Sequence, residues 1–315
     1  MIRPPPPEIV ARFRADLEAL GGPAETLAVA VSGGPDSLAL LLLAHAAFPG
    51  RVHAATVDHR LRPESAVEAR FVADIARDLG VPHATLEAQW SSGTPTSGIQ
   101  EAAREARYAA LLLWCADHRI DALLTAHHAD DQAETLLMRL GRGSGLPGLA
   151  GIRPVQPFGA ARLLRPLLGW RTEELRLICR EAGLTPIEDP SNTDPRHERS
   201  RIRKLLRDTQ ALNSEKVAQS AAHMLEAEQA IRWLVDEVLR TRVTFDAETS
   251  TFDAAGLPRE IQRRVLAHLV PEARGSAVAR ALARLDSGNA TTLAGYRLRP
   301  GDPWTVAPAP PRRAN

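Results

Sequence analysis

The sequence predicts an α/β fold: a parallel sheet with helices on both faces, followed by a smaller C-terminal domain of mixed helix and strand. Three observations predict it. Between residues 27 and 140, short apolar runs alternate with helix-length segments, the pattern of βαβ units. The run Val29-Ala30-Val31 stops abruptly in a small, glycine-rich turn, Ser32-Gly33-Gly34-Pro35-Asp36-Ser37, that opens into an apolar helix. Beyond residue 213 the alternation gives way to one long amphipathic helix and short hairpin-like pieces.

The elements follow in order. A proline-rich start leads into a helix over 8–20. A strand over 27–31 precedes a helix over 37–47, and a strand over 52–57 precedes a helix over 65–79. A strand over 83–87 is followed by a loop, 90–98, rich in Ser, Thr, Gly and Pro, and then by a helix over 99–118. A strand over 121–125 and a helix over 129–140 complete the alternation. From 141 to 166 the pattern breaks into Gly, Pro and Arg, which predicts no regular element. A helix over 172–182 and a polar, basic stretch from 189 to 207 come next. The last third reads as a helix over 214–240, a hairpin-like 244–254, two short helices, strand-like 291–300, and a disordered tail from 307. The expected domains are therefore 1–213 and 214–315. No internal repeat occurs. In parallel sheets of this kind ligands sit at the carboxyl ends of the strands, so strand-end residues are the ones to inspect.

Composition narrows the class. The 315 residues are 44% hydrophobic and 24% charged, ordinary for a soluble chain of two domains. No run approaches the ~18 apolar residues of a membrane span, and the N-terminus has no apolar signal-like region. A cytoplasmic protein with no membrane partner is expected. The two cysteines, Cys115 and Cys179, fall in separate helical patterns and form no CxxC, which argues against a zinc site, an iron–sulfur site or a disulfide framework. Net charge is +1, yet residues 139–207 hold 14 Arg or Lys against 7 Asp or Glu. That local excess suits a polyanion. Only Lys204 and Lys216 are lysines, so arginine abundance alone says little, and its clustering says more.

The turn at Ser32 to Ser37 is a phosphate cradle. Successive backbone N–H groups at a helix N-terminus favour an anion, and the helix dipole adds to this. It is not the Walker loop, which needs a lysine; here an aspartate, Asp36, sits inside the turn. A carboxylate beside phosphates requires a cation between them, most simply Mg²⁺. The turn resembles the SGGxDS loop of the PP-loop ATP pyrophosphatases, Rossmann-like enzymes that cleave ATP between its α and β phosphates.

Three further segments carry the resemblance. Val57-Asp58-His59 ends the second strand and continues into Leu61-Arg62-Pro63-Glu64-Ser65, with Arg60 where the family usually has glycine. Read alone, Asp58 and His59 are strand-end polar residues with a capping role. The segment Thr125-Ala126-His127-His128-Ala129-Asp130-Asp131-Gln132-Ala133-Glu134-Thr135 follows the fourth strand. His127, Asp131, Glu134 and Met138 share a helical face, which brings Asp131 and Glu134 together near the helix N-terminus, where they could hold Mg²⁺ or an ammonium group. His127 and His128 are adjacent, so their side chains diverge, and Asp130 reads as the helix N-cap. This segment resembles the HHxDDxxET signature of the tRNA(Ile)-lysidine synthetases and related tRNA-modifying PP-loop enzymes. The third segment, 189–203, resembles that family's DxSNxD stretch with trailing arginines; Arg199 and Arg203 are four apart and share a face, with Ser200 where Asn is common.

Two weaker features remain. Arg104 and Arg107 share a face of a helix that resembles the family's LQAAARExRY; phosphate contact and a solvated face are both open. Gly143, Gly145 and Gly148 spell G-x-G-x-x-G, but the run follows a helix and leads into proline, so it is no dinucleotide fingerprint. It resembles the family's RGSGxxGL loop, a flexible element near the site.

The resemblance implies an enzyme that uses ATP and Mg²⁺ to join free L-lysine to C2 of the wobble cytidine in an isoleucine tRNA with a CAU anticodon. It implies that Ser32, Gly33, Gly34, Pro35, Asp36, Ser37, Val57 and His59 bind ATP, the last two closing over adenine. It implies that Asp36 and Asp131 hold the metal and that Glu134, with Asp131, orients the lysine ammonium. Arg199 or Arg203 stabilises the adenylate, and Arg104, Arg107, Arg139 and Arg142 touch the tRNA. The C-terminal domain would grip the tRNA body; a role in forming a homodimer is equally open. The rival readings are a PP-loop tRNA thiolase, a small-molecule synthetase on the same loop, and a nucleotide-sensing RNA-binding protein without turnover.

Overall fold

The protein is described by a computed structural model that covers residues 2–22, 25–61, 64–90, 98–187, 198–209 and 211–310. The chain divides into two compact units, Met1–Leu225 and Glu226–Asn315.

The first unit holds a six-stranded sheet of order β3-β2-β1-β4-β6-β5. Its strands are β1 (Leu27–Ala30), β2 (Val52–Asp58), β3 (His83–Glu87), β4 (Ala122–Leu124), β5 (Val155–Phe158) and β6 (Ala161–Leu164). All neighbours pair in parallel except β5 and β6. The chain winds outward from β1 through β2 to β3, then returns to place β4 on the other side of β1. That reversal makes β1/β4 the topological switch point, where open α/β sheets bind ligands.

Alternate residues of the central strands face opposite layers. Leu27, Val29, Leu124 and Leu164 pack with α1 (Pro7–Ala19), α2 (Pro35–Ala47), α3 (Ser65–Leu79) and α7 (Thr172–Glu181) in one core. Ala28, Ala55, Leu123 and Leu163 pack with Leu111, Trp114 and Cys115 of α4 (Ile99–Asp117) in another. Helix α2 is apolar all round and buries eight of its apolar side chains, among them the unbroken run from Leu38 to Ala44, as a helix at the centre of the layer must. Helices α5 (Ala129–Gly141), α6 (Leu146–Leu149) and α8 (Glu198–Asp208) complete the unit with the first part of α9 (Ser214–Arg242).

The second unit is an antiparallel sheet, β7-β8-β11-β10-β9, with α10 (Arg259–Leu269) and α11 (Gly275–Asp286). Its strands are β7 (Val243–Asp246), β8 (Thr249–Phe252), β9 (Thr291–Leu293), β10 (Tyr296–Arg299) and β11 (Trp304–Pro308). Val265, Leu266, Val278, Leu282 and Phe252 form its core. Within it Glu228, 2% exposed, is gripped by both terminal nitrogens of Arg264 at 2.9 and 2.7 Å.

The expected α/β architecture and the smaller C-terminal mixed domain are both present. Three expectations need correction. Residues 141–166 are not irregular: they hold α6 and the β5–β6 hairpin, which turns through Gly159 at φ +61° and adds a parallel neighbour to β4. Helix α2 begins at Pro35, so Asp36 and Ser37 lie in its first turn rather than in the loop before it. The tail is ordered strand through Pro308. The two compact units meet inside α9, at Leu225. Loop residues 91–97, motif residues 62–63 and 189–197, and the tail beyond 310 lie outside the described residues.

Candidate active site

The phosphate turn is built by its own hydroxyls. The Ser37 Oγ accepts from the Ser32 N–H at 3.0 Å and donates to the Gly34 carbonyl at 3.1 Å, while the Ser32 hydroxyl lies 3.1 Å from it. Gly33 takes φ +85°, and a Cβ there would meet the Ile187 Cδ1 at 3.0 Å, so this position requires glycine. The Ile187 N–H donates to the Gly33 carbonyl at 2.9 Å, which pins the turn from outside. Pro35 occupies the first helical position, where its missing N–H costs nothing. No side chain caps α2, so its first-turn N–H groups face outward as anion donors.

Beside the turn, three carboxylates surround one imidazole. The His128 Nε2 lies 3.5 Å from an oxygen of Asp36 and 3.5 Å from an oxygen of Asp131, and its Nδ1 lies 3.7 Å from Asp130. Burial disfavours the charged ring, but Asp131, Asp36 and Asp130 outweigh burial and push its pKa up to about 9. His128 is thus an imidazolium that holds apart acids which would otherwise repel. It carried no assigned role in the sequence, because nothing there places Asp36 next to it.

His127 points the other way, as adjacency requires. Its Nδ1 lies 3.1 Å from the Thr125 hydroxyl, and burial, opposed by Asp131 but joined by Arg165, Arg104 and Arg107, drives its pKa down to about 3. The two histidines straddle the sheet rim, one charged and one neutral.

Asp130 is not the N-cap of α5; His128 is. Asp130 instead accepts from the Thr172 N–H at 3.0 Å and so caps α7. Asp131 accepts from the His128 N–H at 3.2 Å, and despite burial the two histidines and Arg199 hold its carboxyl below the usual range. The Asp36 Oδ1 is buried and accepts no hydrogen bond. An unpartnered carboxylate oxygen beside a phosphate turn, with Asp131 aimed at the same imidazole, fits Mg²⁺, which takes one or two protein carboxylates and completes its shell with phosphate and water.

Glu134 is 1% exposed and clamped: the Arg203 Nε and Nη2 donate to its two oxygens at 2.6 and 3.2 Å, and the Arg199 Nε lies 3.0 Å away. Burial raises its pKa against the pull of Arg203. The structure therefore joins Glu134, Arg199 and Arg203 into one ionic cluster between α5 and α8. Both carboxylate oxygens accept from arginine, so Glu134 anchors Arg199 and Arg203 at this edge. The Arg199 Nη2 also donates to the Thr135 hydroxyl at 3.0 Å.

At the end of β2, Asp58 accepts from the Arg60 N–H at 2.9 Å and the Ser65 hydroxyl at 2.6 Å, a local cap. Arg60 sits at φ +52°, the region glycine occupies without strain. Val57 packs on the α4 core, and half-buried His59 keeps an unpartnered Nδ1. The expected RNA-facing arginines separate. Arg104 is exposed and Arg107 half-buried, both stacked on Tyr108 at 4.9 and 5.3 Å from its centroid. Arg142 is exposed and paired with Glu198. Arg139 is a clamp: its Nη1 donates to the carbonyls of Gly148 and Gly151 at 2.7 and 3.0 Å. Buried Gln132 does similar work, exchanging two hydrogen bonds with the backbone of Ile152.

The comparisons with known proteins bear on this geometry. A family model described as PP-loop domain matches residues 9–210. A tRNA(Ile)-lysidine synthase of Novosphingobium aromaticivorans is 46% identical over 316 residues, covering 97% of this chain and 95% of that protein. One of Zymomonas mobilis subsp. mobilis is 43% identical over 298 residues, covering 91% and 89%. The chain belongs to the tRNA(Ile)-lysidine synthase family of PP-loop proteins. Among solved structures, a U34-tRNA thiolase from Methanococcus maripaludis with its [4Fe-4S] cluster is 17% identical with a TM-score of 0.58, covering 70% of this chain and 78% of that one; it shares the fold. In this lysidine synthase family member the two cysteines are buried in α4 and α7, and burial pushes both thiols up to about 12. Neither offers the ready thiolate that sulfur transfer needs.

Proposed function

We propose that the protein ligates free lysine to C2 of the wobble cytidine in isoleucine tRNA bearing a CAU anticodon, with ATP cleaved to AMP and pyrophosphate. The observation that carries the chemistry is the convergence of Asp36 and Asp131 beside the Ser32–Ser37 turn at the switch point. In the first step the cytidine C2 oxygen attacks the α-phosphate of ATP and pyrophosphate leaves. In the second the ε-amine of lysine attacks C2, AMP leaves with the C2 oxygen, and the amine loses a proton.

The turn, with Ser32, Gly33, Gly34 and Ser37, holds the departing pyrophosphate through backbone N–H donors that the two hydroxyls fix before the reaction begins. Asp36 and Asp131 would hold Mg²⁺, which when bound neutralises charge growing on the leaving group. Val57 and His59 border the adenine. Glu134 keeps Arg199 and Arg203 at the rim, where either can meet charge on the adenylated RNA. Glu134, with Asp131, would orient the lysine ammonium. Arg104, Arg107 and exposed Arg142 face the RNA.

Asp36→Ala is expected to lower tRNA-dependent pyrophosphate release by roughly 10²-fold or more, the scale of losing one preorganised charge at a reacting centre. Wild-type release rates in that variant, at saturating Mg²⁺ and ATP, would remove the metal assignment.

A further inference from the structure

Arg165 has no role in the chemistry above, yet it is 3% exposed and carries a buried Nε with no hydrogen-bond partner. It directly follows β6 and therefore lies at the same carboxyl edge of the sheet as His127 and the phosphate turn. Its other nitrogens are fixed: Nη1 donates to the Arg153 carbonyl at 2.5 Å and Nη2 to the Gln156 Oε1 at 2.7 Å. The guanidinium is thus locked in place with its Nε–H unpaired.

Around it the charge is uncompensated. Arg104 and Arg107 stack on the Tyr108 ring, which is itself held edge-on against Phe158 of β5 at 6.0 Å. The buried Tyr108 hydroxyl faces Arg107 and Arg165 and supports both guanidinium charges, without a well-formed hydrogen bond. Burial lowers both guanidinium pKa values, Arg104 adds to this and Tyr108 opposes it; among the described residues no carboxylate pairs with either arginine. A buried cation without a counter-ion is costly and is retained where an anion completes it.

We propose that Arg165, Arg104 and Arg107, gathered around Tyr108, form a second phosphate site that binds a backbone phosphodiester of the RNA substrate next to the reacting nucleotide. The placement favours an RNA phosphate over the triphosphate of ATP, whose adenine end alone would lie on this side, by Val57 and His59. The Ser32–Ser37 turn opens α2, which covers one face of the sheet, whereas this cluster stands on α4, which covers the other. A triphosphate laid on the α2 N-terminus is served by that turn; a polynucleotide crossing the rim meets both. The forked guanidinium suits a phosphodiester's two free oxygens. This inference rests on the RNA-modifying reading of the site.

The test is tRNA binding across a salt series, beside ATP binding without tRNA, for Arg165→Met, Arg165→Lys and Arg104→Met. Arg165→Met is expected to bind tRNA about tenfold more weakly, with the slope of log K against log salt reduced by about 0.7, the value for one phosphate on a single strand. ATP affinity is expected to stay at the wild-type value. If Arg165→Met does not fold, surface Arg104→Met carries the slope test, and Arg165→Lys, which keeps the charge but loses the fork, is expected to keep the slope and weaken tRNA binding. Unchanged slopes and affinities in folded variants would overturn the proposal, and a loss confined to ATP binding would overturn its assignment to RNA. Wild-type pyrophosphate release with tRNA runs alongside: its absence would fail the RNA-modifying reading itself, whereas normal release with unchanged variant slopes would fail only this site.

Discussion

His127 and His128 are neighbours in sequence and opposites in charge, and the difference is set by what each faces. Folding lowers the His127 pKa from 6.5 to about 3, so its contribution to stability is complete above 6.5 and is lost as pH falls toward 3. Folding raises the His128 pKa from 6.5 to about 9, so its contribution is complete below 6.5 and is lost as pH rises through 9. In EDTA, where no cation competes, urea unfolding is expected to show greatest stability near pH 6.5. His128→Asn should flatten the alkaline limb and His127→Asn the acid limb, each by up to roughly 3 kcal/mol, and less for His127, which keeps some solvent contact. Limbs unchanged by both substitutions would contradict these assignments. The paired histidines and acids were legible in sequence because they lie within one helical turn. The meeting of Asp36 with His128 was not, since it depends on β1 pairing with β4. Asp130 misled for the same reason: its partner, the Thr172 N–H, lies 42 residues away.

At the scale of elements, α8 is joined to α5 through Glu134. The carboxylate is buried while Arg203 and Arg199 are 34% and 43% exposed, so the pair is anchored from the α5 side. Glu134→Gln keeps the shape and removes the charge. It is expected to speed hydrogen exchange of α8 amides 199–208 by at least about tenfold, equivalent to roughly 1.4 kcal/mol of local stability, while α5 stays protected. Equal exchange in both proteins would show that α8 is held by other contacts. Helices with strong apolar or charged periodicity, α3, α5 and α9 among them, were legible with only small shifts at their ends. The β5–β6 hairpin was not, because its short strands are interrupted by Pro157 and bounded by Pro154 and Pro166, which read as breakers. Missing β6 also hid Arg165, whose burial follows from the strand before it. Arg60 was legible as a departure from glycine, and its positive φ shows why glycine suits that position.

At the scale of the first unit, the parallel sheet places its strand-end motifs at one edge, so Asp36 and His128, far apart in sequence, become neighbours. The sequence marks where α9 starts, and the two compact units meet further along that helix, at Leu225. The second unit repeats none of the site's chemistry; its buried Glu228–Arg264 pair serves its own core. The central claim concerns what this edge does with ATP, lysine and RNA together. It is tested most directly by transfer of labelled lysine to unmodified isoleucine tRNA with a CAU anticodon, in ATP and Mg²⁺, with methionine tRNA alongside. Label on the isoleucine tRNA alone is the expected result. Absence of label from both, with tRNA-dependent pyrophosphate release intact, would contradict lysine as the nucleophile.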